Sequence, residues 1–337
     1  MTNPVFPSWL SALSAAALVA GLAAPASAAA PTRAVAAKAG PAALKSKLTV
    51  VPAKAPKPKA PRPAAPAKPP PLPNPYKEPC PGVESLGKRA GDLPFQMGEE
   101  LAYEITVSGA FVGRMEMKVG KPRKVEGKIR VPLFARARTS DFVATFKAFE
   151  GRYMAMVDPH SLDPLGVRTE STYGDEPRWE RIRFSDDHRS VGADVLLEGR
   201  ELRREYDSEH ALTDLLTLLY QARMVTVQPG LKACQDVFAS RRLWRMTASV
   251  DEVVPVDTPA GERDTYLVKT AFDRKPTHGL NNNVRPHMEV DVYLAADASQ
   301  APLQFVIRAE GVEAVAKLVR WSTKGGSEQG WGFADAR

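Results

Sequence analysis

Apolar and polar side chains alternate along most of the chain from about Pro94 onward. In the segment GEELAYEITVSG, every second residue from Leu101 to Val107 is apolar, and the residues between them are small or polar. Such a period of two gives an extended strand one apolar face. The segment VGRMEMKVG repeats the alternation, and Ser108-Gly109-Ala110 between the two segments is typical of a hairpin turn. The pattern predicts two antiparallel strands.

Similar segments recur along the chain about every 10 residues, with turn residues between them. They are KIRVPLFARAR, FVATFKAFE, RYMAMVD, PLGVRTES, RWERIRFS, VGADVLLEG, ELRREYD, LWRMTASVDEVV, DTYLVKTAF, HMEVDVYLA, PLQFVIRAE and EAVAKLVRW. This spacing predicts an all-β dominated fold, built as a large antiparallel curved sheet, a half-barrel or a sandwich.

One segment departs from the period of two. In SEHALTDLLTLLYQARM, leucines 212, 215, 216 and 219 fall at positions i, i+3, i+4 and i+7. This spacing predicts one amphipathic helix packed on the sheet, with Thr213 or Ser208 as its N-cap.

The net positive charge of the chain comes from its N-terminal part. Residues 29–77 contain 10 of the 46 Lys and Arg residues and no acidic residue, so the remaining 36 basic side chains face all 39 acidic ones. A slightly acidic globular part is not suited to neutralising phosphates, so we predict no nucleic-acid partner.

The first 28 residues resemble an export signal. An apolar run at residues 10–24 is followed by Ala26-Ser27-Ala28, small residues of the kind that precede a cleavage site. The alternative is an uncleaved anchor. No cysteine lies near the cleavage point, so we predict a periplasmic protein that is not a lipoprotein.

We predict four segments: a signal peptide (1–28), a disordered Pro/Ala/Lys-rich linker (29–78), a β-rich globular domain (79–324) and a frayed C-terminal tail (325–337). Closely spaced prolines favour extended polyproline II in the linker and leave it nothing to bury. It serves either as a solvated spacer or as a peripheral contact with an anionic envelope surface.

The chain has two cysteines, Cys80 and Cys234. In an exported protein an even count predicts a disulfide between them. The alternative is two free, buried thiols.

The sequence contains neither the GxSxG pattern of serine hydrolases nor the HExxH pattern of zinc hydrolases. No glycine-rich loop follows a strand and opens a helix, as nucleotide binding requires. We therefore predict no catalytic residue, no metal, no cofactor and no enzymatic activity, with an unrecognised cell-wall hydrolase as the alternative.

The candidate site is apolar. If the fold is a half-barrel, one short helix cannot fill the concave side of the sheet, and surplus apolar side chains would line a groove under that helix. The predicted groove residues are Phe134, Phe142, Phe146, Phe149, Tyr153, Met156, Leu212, Leu216, Leu219 and Trp244. The alternative is that they fill a dry core.

Four segments in order are similar to a known family: GEELAYEITVSGAFVGRMEMKVG, TDLLTLLYQAR, VDTPAGERDTYLVK and VDVYLAADASQAPLQFVIRAEGVEAVAKLV. Together they resemble the exported bacterial family of domain of unknown function 3108. The resemblance implies a β-rich envelope protein and supplies no catalytic residues. The predicted curved sheet with one covering helix is also similar, in shape only, to the half-barrels of lipoprotein carriers.

These expectations give two hypotheses about function. The first is an exported, non-enzymatic envelope protein that binds a lipid or a hydrophobic peptide in a groove of the curved sheet. The alternative is a structural or assembly factor that contacts an envelope protein partner, with its basic tail touching the envelope.

Overall fold

A computed structural model describes Gly82 and residues 93–197, 199–275, 287–309, 311–323, 328 and 331. These residues form one sheet of 16 strands and two helices, α1 (Asp141–Lys147) and α2 (Leu215–Arg223). Neither helix is long and apolar enough to cross a membrane. The predicted signal peptide and linker lie outside the described residues.

The strands follow one another as hairpins along most of the chain. They are β1 (Glu100–Val107), β2 (Ala110–Val119), β3 (Arg123–Val125), β4 (Lys128–Thr139), β5 (Phe149–Val157), β6 (Pro164–Tyr173), β7 (Glu176–Phe184), β8 (Ser190–Leu197), β9 (Arg200–Asp207), β10 (Leu212–Thr213), β11 (Lys232–Ala239), β12 (Arg242–Thr258), β13 (Gly261–Arg274), β14 (His287–Ala295), β15 (Pro302–Ala309) and β16 (Val312–Ser322).

The first and last strands meet in the middle of the sheet. The strand order is β10-β11-β12-β13-β14-β15-β16-β1-β2-β4-β5-β6-β7-β8-β9, with β3 paired to β4. Pairing of β1 with β16 joins two meanders, which we call the N-terminal half-sheet (β1–β9) and the C-terminal half-sheet (β10–β16). All pairings are antiparallel except that of β10 with β11.

The two edges of the sheet approach each other without forming a ladder in the described part of the chain. The rings of Tyr206 on β9 and Phe238 on β11 lie 4.9 Å apart. Arg241, in the β11–β12 turn, pairs with Glu180 on β7 at 3.3 Å. The sheet is therefore strongly curved, and we call the face that carries α2 and the main core its inner face.

The predicted all-β, curved-sheet fold is confirmed as a single sheet. The hairpin predicted after Val107 is also confirmed, since Ser108 and Gly109 both have positive φ angles, as a two-residue turn of this hand requires. The predicted amphipathic helix is confirmed as α2, and the described residues form a second, short helix, α1, which the sequence pattern did not predict.

The predicted strand FVATFKAFE is wrong over its first half. Residues Asp141–Lys147 form α1, and only the part from Phe149 onward belongs to β5. The Ser140 hydroxyl accepts a hydrogen bond from the Val143 amide, and Asp141 lies in the first turn. This N-cap stabilises a helix where apolar spacing alone suggested a strand.

Helix α2 begins later than the leucine spacing predicts. Its N-cap is Asp214, whereas Thr213 and Ser208 do not cap it. Leu212 lies in the two-residue strand β10, which pairs with β11. Only three of the four leucines in the predicted stripe therefore belong to the helix.

The C-terminal segment, predicted to fray, contributes two described residues to the outer face of the sheet. The Trp331 ring lies 6.2 Å from that of Phe134 and 4.3 Å from the Arg136 guanidinium. Glu328 pairs with Arg123 at 2.5 Å. These two residues are packed, and the rest of the tail predicted to fray, residues 325–337, lies outside the described residues.

Candidate functional site

A large apolar cleft lies between α2 and the inner face of the C-terminal half-sheet. Its volume, counted with its open mouth, is about 910 Å³. Among the residues that the structure describes around it, all but Thr270 are apolar. The lining consists of Leu215, Leu218, Leu219 and Ala222 of α2; Val225, Val227 and Leu231 after it; and Ala233, Met246, Ala248, Val250, Val268, Thr270, Phe272, Val290, Val292, Leu294 and Phe305 of the sheet.

Strand alternation explains why this surface is apolar. On β12, Met246, Ala248 and Val250 face the cleft. Their neighbours Thr247 and Ser249 point to the opposite face. The one polar side chain in the described lining, Thr270, donates its hydroxyl to the Val290 carbonyl at 2.6 Å. A ligand entering the cleft thus meets hydrocarbon, with this hydroxyl already bonded.

The N-terminus of α2 is fixed to the N-terminal half-sheet by a buried aspartate. One oxygen of Asp214 accepts hydrogen bonds from the amides of Leu216 (3.1 Å) and Thr217 (3.0 Å) and from the Tyr153 hydroxyl (2.8 Å). Burial raises the pKa of Asp214 despite these hydrogen bonds. Burial and then the nearby Asp214 charge raise the pKa of Tyr153 well above its ordinary value.

The C-terminus of α2 is fixed by a fully buried ion pair. Arg223 binds both carboxylate oxygens of Glu99, at 2.6 and 3.1 Å. It also donates to the carbonyls of Ser299 and Pro94. The guanidinium lies over the rings of Phe95 and Tyr220, at 5.2 and 5.3 Å. These contacts hold one wall of the cleft in place at both ends of the helix.

Of the ten predicted groove residues, Leu219 alone lines the cleft. Leu216 and Leu212 are buried in the core on either side of the Asp214 cap. Tyr153 is engaged with Asp214, and Trp244 donates its indole N–H to the Ala239 carbonyl at 3.1 Å. Leu216, Tyr153 and Trp244 therefore lie in the packed core, and Leu212 lies between this core and a second cavity.

The remaining predicted residues lie on α1 and on the N-terminal half-sheet, and none of them lines the cleft. Phe142 and Phe146 are 74% and 69% exposed on α1, with ring centroids 5.6 Å apart. Phe134 is on the outer face under Trp331, Phe149 packs at the margin of the core, and Met156 is half-buried on the face of β5 opposite Tyr153. These residues do not share one surface, because side chains alternate between the two faces along each strand and because Phe142 and Phe146 lie on a helix.

Sequence reasoning missed the valines of β13 and β14 and the alanines of α2, β11 and β12. The signal was present, because β-branched residues occupy alternate positions at Val268 and Thr270 and again at Val290 and Val292. A search for large aromatic side chains passes over this pattern, since a cleft is left open where side chains are small.

A second cavity, of about 630 Å³ when counted with its open mouth, lies where β10 meets the N-terminal half-sheet. Its polar lining includes two glutamines that are bonded to the protein itself. Gln221 donates to the Leu162 carbonyl at 3.1 Å and accepts from Thr213 at 3.3 Å. Gln235 donates to the Ala211 carbonyl at 2.7 Å. These bonds join α2 to the β5–β6 loop and β11 to the β9–β10 loop.

No group of three or more His, Cys, Asp or Glu side chains suited to a metal is present among the described residues. His287 contacts Asp273 at 3.0 Å and Glu289 at 3.3 Å. Its pKa is raised chiefly by the hydrogen bond to Asp273.

The predicted disulfide involves one residue outside the described part of the chain, Cys80. Its partner Cys234 is buried on β11 and forms an isolated parallel bridge with Gly82. The Cys80–Cys234 bond stays a prediction, which is favoured because Cys80 precedes Gly82 by only two residues.

The chain belongs to the family described as "Protein of unknown function (DUF3108)", whose model matches residues 102–311. This is the family that the four sequence segments resembled. The match spans the region from β1 to the β15–β16 turn and includes α2 and every strand that lines the cleft. No curated protein matches the sequence.

Solved structures of low sequence identity are similar to this chain. One is the beta-barrel-like protein of domain of unknown function DUF1849 from Brucella abortus, with 12% identity, a TM-score of 0.46, and coverage of 68% of this chain and 98% of that chain. Another, from Bacteroides fragilis, is described as exported with a YmcC-like fold, with 9% identity, a TM-score of 0.33, and coverage of 68% and 98%. A third, described as a lipoprotein from Parabacteroides distasonis, has 8% identity, a TM-score of 0.32, and coverage of 69% and 100%. At these values the similarities carry no argument about function.

Proposed function

We propose that this DUF3108 protein is an exported, non-enzymatic envelope protein that binds the apolar part of a ligand in the cleft between α2 and the C-terminal half-sheet. The observation that carries the proposal is the cleft itself. Ligand-binding pockets are lined mainly by apolar side chains. The cleft has this kind of lining, because all of its described side chains except Thr270 are apolar.

The lining favours a lipid chain over a hydrophobic peptide. A peptide brings an N–H and a C=O group with almost every residue, and each costs free energy if it is buried without a hydrogen bond. The Thr270 hydroxyl, the one polar group among the described lining side chains, is already bonded to Val290. A hydrocarbon chain leaves no such group unpaired.

Export to the periplasm is part of the proposal and rests on the sequence. The apolar run before Ala26-Ser27-Ala28 has the form of a cleaved signal, and the absence of a nearby cysteine argues against lipid attachment there. A Cys80–Cys234 disulfide is compatible with an oxidising compartment. The linker at residues 29–78 would then act as a spacer on the exported chain.

The first test is binding of a fluorescent fatty acid by the exported chain, purified without detergent. Ala248→Phe places a large side chain in the cleft, where Ala248 lies opposite Thr270. We expect this variant to weaken binding at least about tenfold, equivalent to about 1.4 kcal/mol. The matched control is Ser249→Phe, because Ser249 is the next residue on β12 and points to the opposite face.

Native mass spectrometry of the same preparation gives an independent readout. A co-purifying mass that organic solvent extracts as lipid supports the proposal. A clean apo mass, together with no uptake of the fluorescent fatty acid, contradicts it. Equal effects of Ala248→Phe and Ser249→Phe would show that binding takes place elsewhere.

The exposed pair Phe142 and Phe146 favours a second candidate function, a structural or assembly factor that contacts an envelope protein. Large exposed aromatic side chains side by side are typical of contact surfaces. Edge strand β9 is mostly charged and exposed, which does not favour pairing with another chain there. A clean apo mass and loss of a co-purifying envelope protein in a Phe142→Ser, Phe146→Ser variant would support this candidate.

A further inference from the structure

Two arginines continue the inner face beyond one end of the cleft. On β13 the residues at alternate positions Val268, Thr270 and Phe272 line the cleft, and Arg274 is the next in that series. On β12 the series Val250, Ala248 and Met246 continues through Trp244 to Arg242. Neither series is interrupted by a bulge, and Arg274 lies opposite Trp244 in the ladder. Both guanidinium groups therefore extend from the inner face.

Arg274 is close to the apolar lining. It follows Phe272 by two residues, which is about 7 Å along a strand. From Val268 to Arg274 the strand spans roughly 20 Å on the same arithmetic. An extended hydrocarbon chain of a ligand lying along β13 would thus begin beside Val268 and end beside the Arg274 guanidinium group.

Arg242 lies near two other cations, Arg274 and Arg241. Within the described part of the chain, no ion pair joins Arg242 to an acidic side chain, although it is half-buried. Burial, and then the charges of Arg274 and Arg241, lower the pKa of Arg242. The segment 276–286, which connects β13 to β14, has no acidic residue in its sequence.

Two acidic side chains near these arginines, Glu180 and Asp273, have partners of their own. Glu180 pairs with Arg241 at 3.3 Å, and its pKa is raised by burial in spite of Arg241 and Arg178. Asp273 precedes Arg274 and points to the opposite face, where it contacts His287. By contrast Arg245, the residue next to Trp244, binds Asp236 at 2.5 Å on that opposite face.

We infer that Arg242 and Arg274 form a head-group site, so that the ligand of the cleft is an amphiphile with an anionic group, a carboxylate or a phosphate, at one end of its hydrocarbon chain. This inference rests on the proposed function, because it identifies the ligand class of the same cleft. Guanidinium groups bind such anions through two parallel, charge-assisted hydrogen bonds. Burial beside the cleft strengthens these bonds, since water competes less there.

The experiment compares three ligands that have hydrocarbon chains of the same length and differ in the head group: palmitate, hexadecyl phosphate and hexadecanol. Each displaces a pyrene-labelled neutral alcohol from the full exported chain at pH 7, below its micelle concentration. We expect both anions, or one of them, to bind at least about tenfold more tightly than hexadecanol, as charge-assisted hydrogen bonds predict. The two anions distinguish a carboxylate head group from a phosphate head group.

The variant Arg242→Gln, Arg274→Gln should reduce the affinity for the preferred anion to that for hexadecanol and leave hexadecanol binding unchanged. Retained hexadecanol binding shows that this variant is folded. If it does not fold, the single variant Arg242→Gln decides, with an expected loss of several-fold for the anion alone. Arg200→Gln is the matched control, because Arg200 is exposed on β9.

The outcomes separate the two proposals. Equal affinities for all three ligands in the wild-type protein overturn the head-group site and leave the apolar cleft standing. An anion preference that survives in the arginine variants also overturns it. Failure of every ligand, hexadecanol included, overturns the proposed function together with the head-group site.

Discussion

The inner faces of the N-terminal and C-terminal half-sheets are both apolar, but they are covered differently. On the N-terminal half-sheet, Met115, Leu133 and Tyr153 are almost fully buried in the main core. On the C-terminal half-sheet, Ala248, Val268 and Val292 remain half-buried and line the cleft. The same alternation of residues thus gives a packed core in one half, and in the other half a core that is interrupted by a partly exposed cleft wall.

The length of α2 explains the difference. Nine residues make a helix about 14 Å long, while neighbouring strands lie about 4.8 Å apart. The helix contacts β4, β5 and β11, and it is tied to Tyr153 at one end and to Glu99 at the other. It therefore spans from β4 and β5 of the N-terminal half-sheet to β11 and leaves part of β12–β14 uncovered. A site can arise in a repetitive sheet where the covering element is too short.

The largest expected effect comes from releasing the C-terminal anchor of α2. Arg223→Met should lower the free energy of unfolding by about 3–5 kcal/mol, because it leaves the Glu99 carboxylate buried without its cation. Urea unfolding followed by circular dichroism at pH 7 measures this loss. Arg114→Met is the matched control, since Arg114 pairs with Glu104 on the exposed surface. We expect the control to change the stability by less than about 1 kcal/mol.

An Arg223→Met variant as stable as the control would contradict the anchoring role of the ion pair. The wall of the cleft would then have to be held by the Asp214 cap and by the apolar contacts of α2 alone.

A pair of leucine truncations tests the comparison between the half-sheets directly. Leu133→Ala should cost about 2–5 kcal/mol, because Leu133 is fully buried and its truncation leaves a cavity in the packed half. Leu219→Ala should cost about 1 kcal/mol or less, since Leu219 lines an open cleft and alanine favours the helix. Urea unfolding of both variants gives the two values, and equal losses would show that the cleft is packed as tightly as the core.

Much of the sheet could be predicted because alternation is local. Leu101 to Val107 shows it, and the structure makes that segment β1. Helix α1 was missed although Ser140-Asp141 carried a capping signal, since Phe142, Val143 and Phe146 also suit a strand. Strand β11 was missed because Gln235 and Asp236 interrupt its apolar pattern, and both are buried by contacts distant in sequence.

The position of the cleft could not be predicted from local patterns. It depends on the pairing of β1 with β16, which decides which strands α2 can cover. The expectation that large aromatic residues line a groove was also misleading. Space for a ligand remains where the side chains are small, as at Ala248 and Val268. The large side chains of Tyr153 and Trp244 instead fill the space around them.

The smallest expected effect is a difference in pH dependence between two buried aspartates. Asp214, beside the N-terminal half-sheet, has a raised pKa caused by burial. Asp236, on β11, is also subject to burial, but hydrogen bonds from Arg245 and Lys275 hold its pKa below the ordinary value. Each unit of difference between the folded and unfolded pKa corresponds to about 1.4 kcal/mol.

Asp214 and Asp236 make the free energy of unfolding depend on pH in opposite directions. Stability from Asp236 is present above the ordinary carboxyl pKa and is lost as the pH falls through its lowered folded value. Asp214 instead favours the protonated form in the folded protein, so stability is lost as the pH rises from the ordinary pKa through its raised folded value. Asp236→Asn should therefore flatten the loss of stability in acid, and Asp214→Asn should steepen it. Urea unfolding at a series of pH values between about 3 and 7 tests this, and parallel curves for both variants would contradict the assignment of opposite shifts.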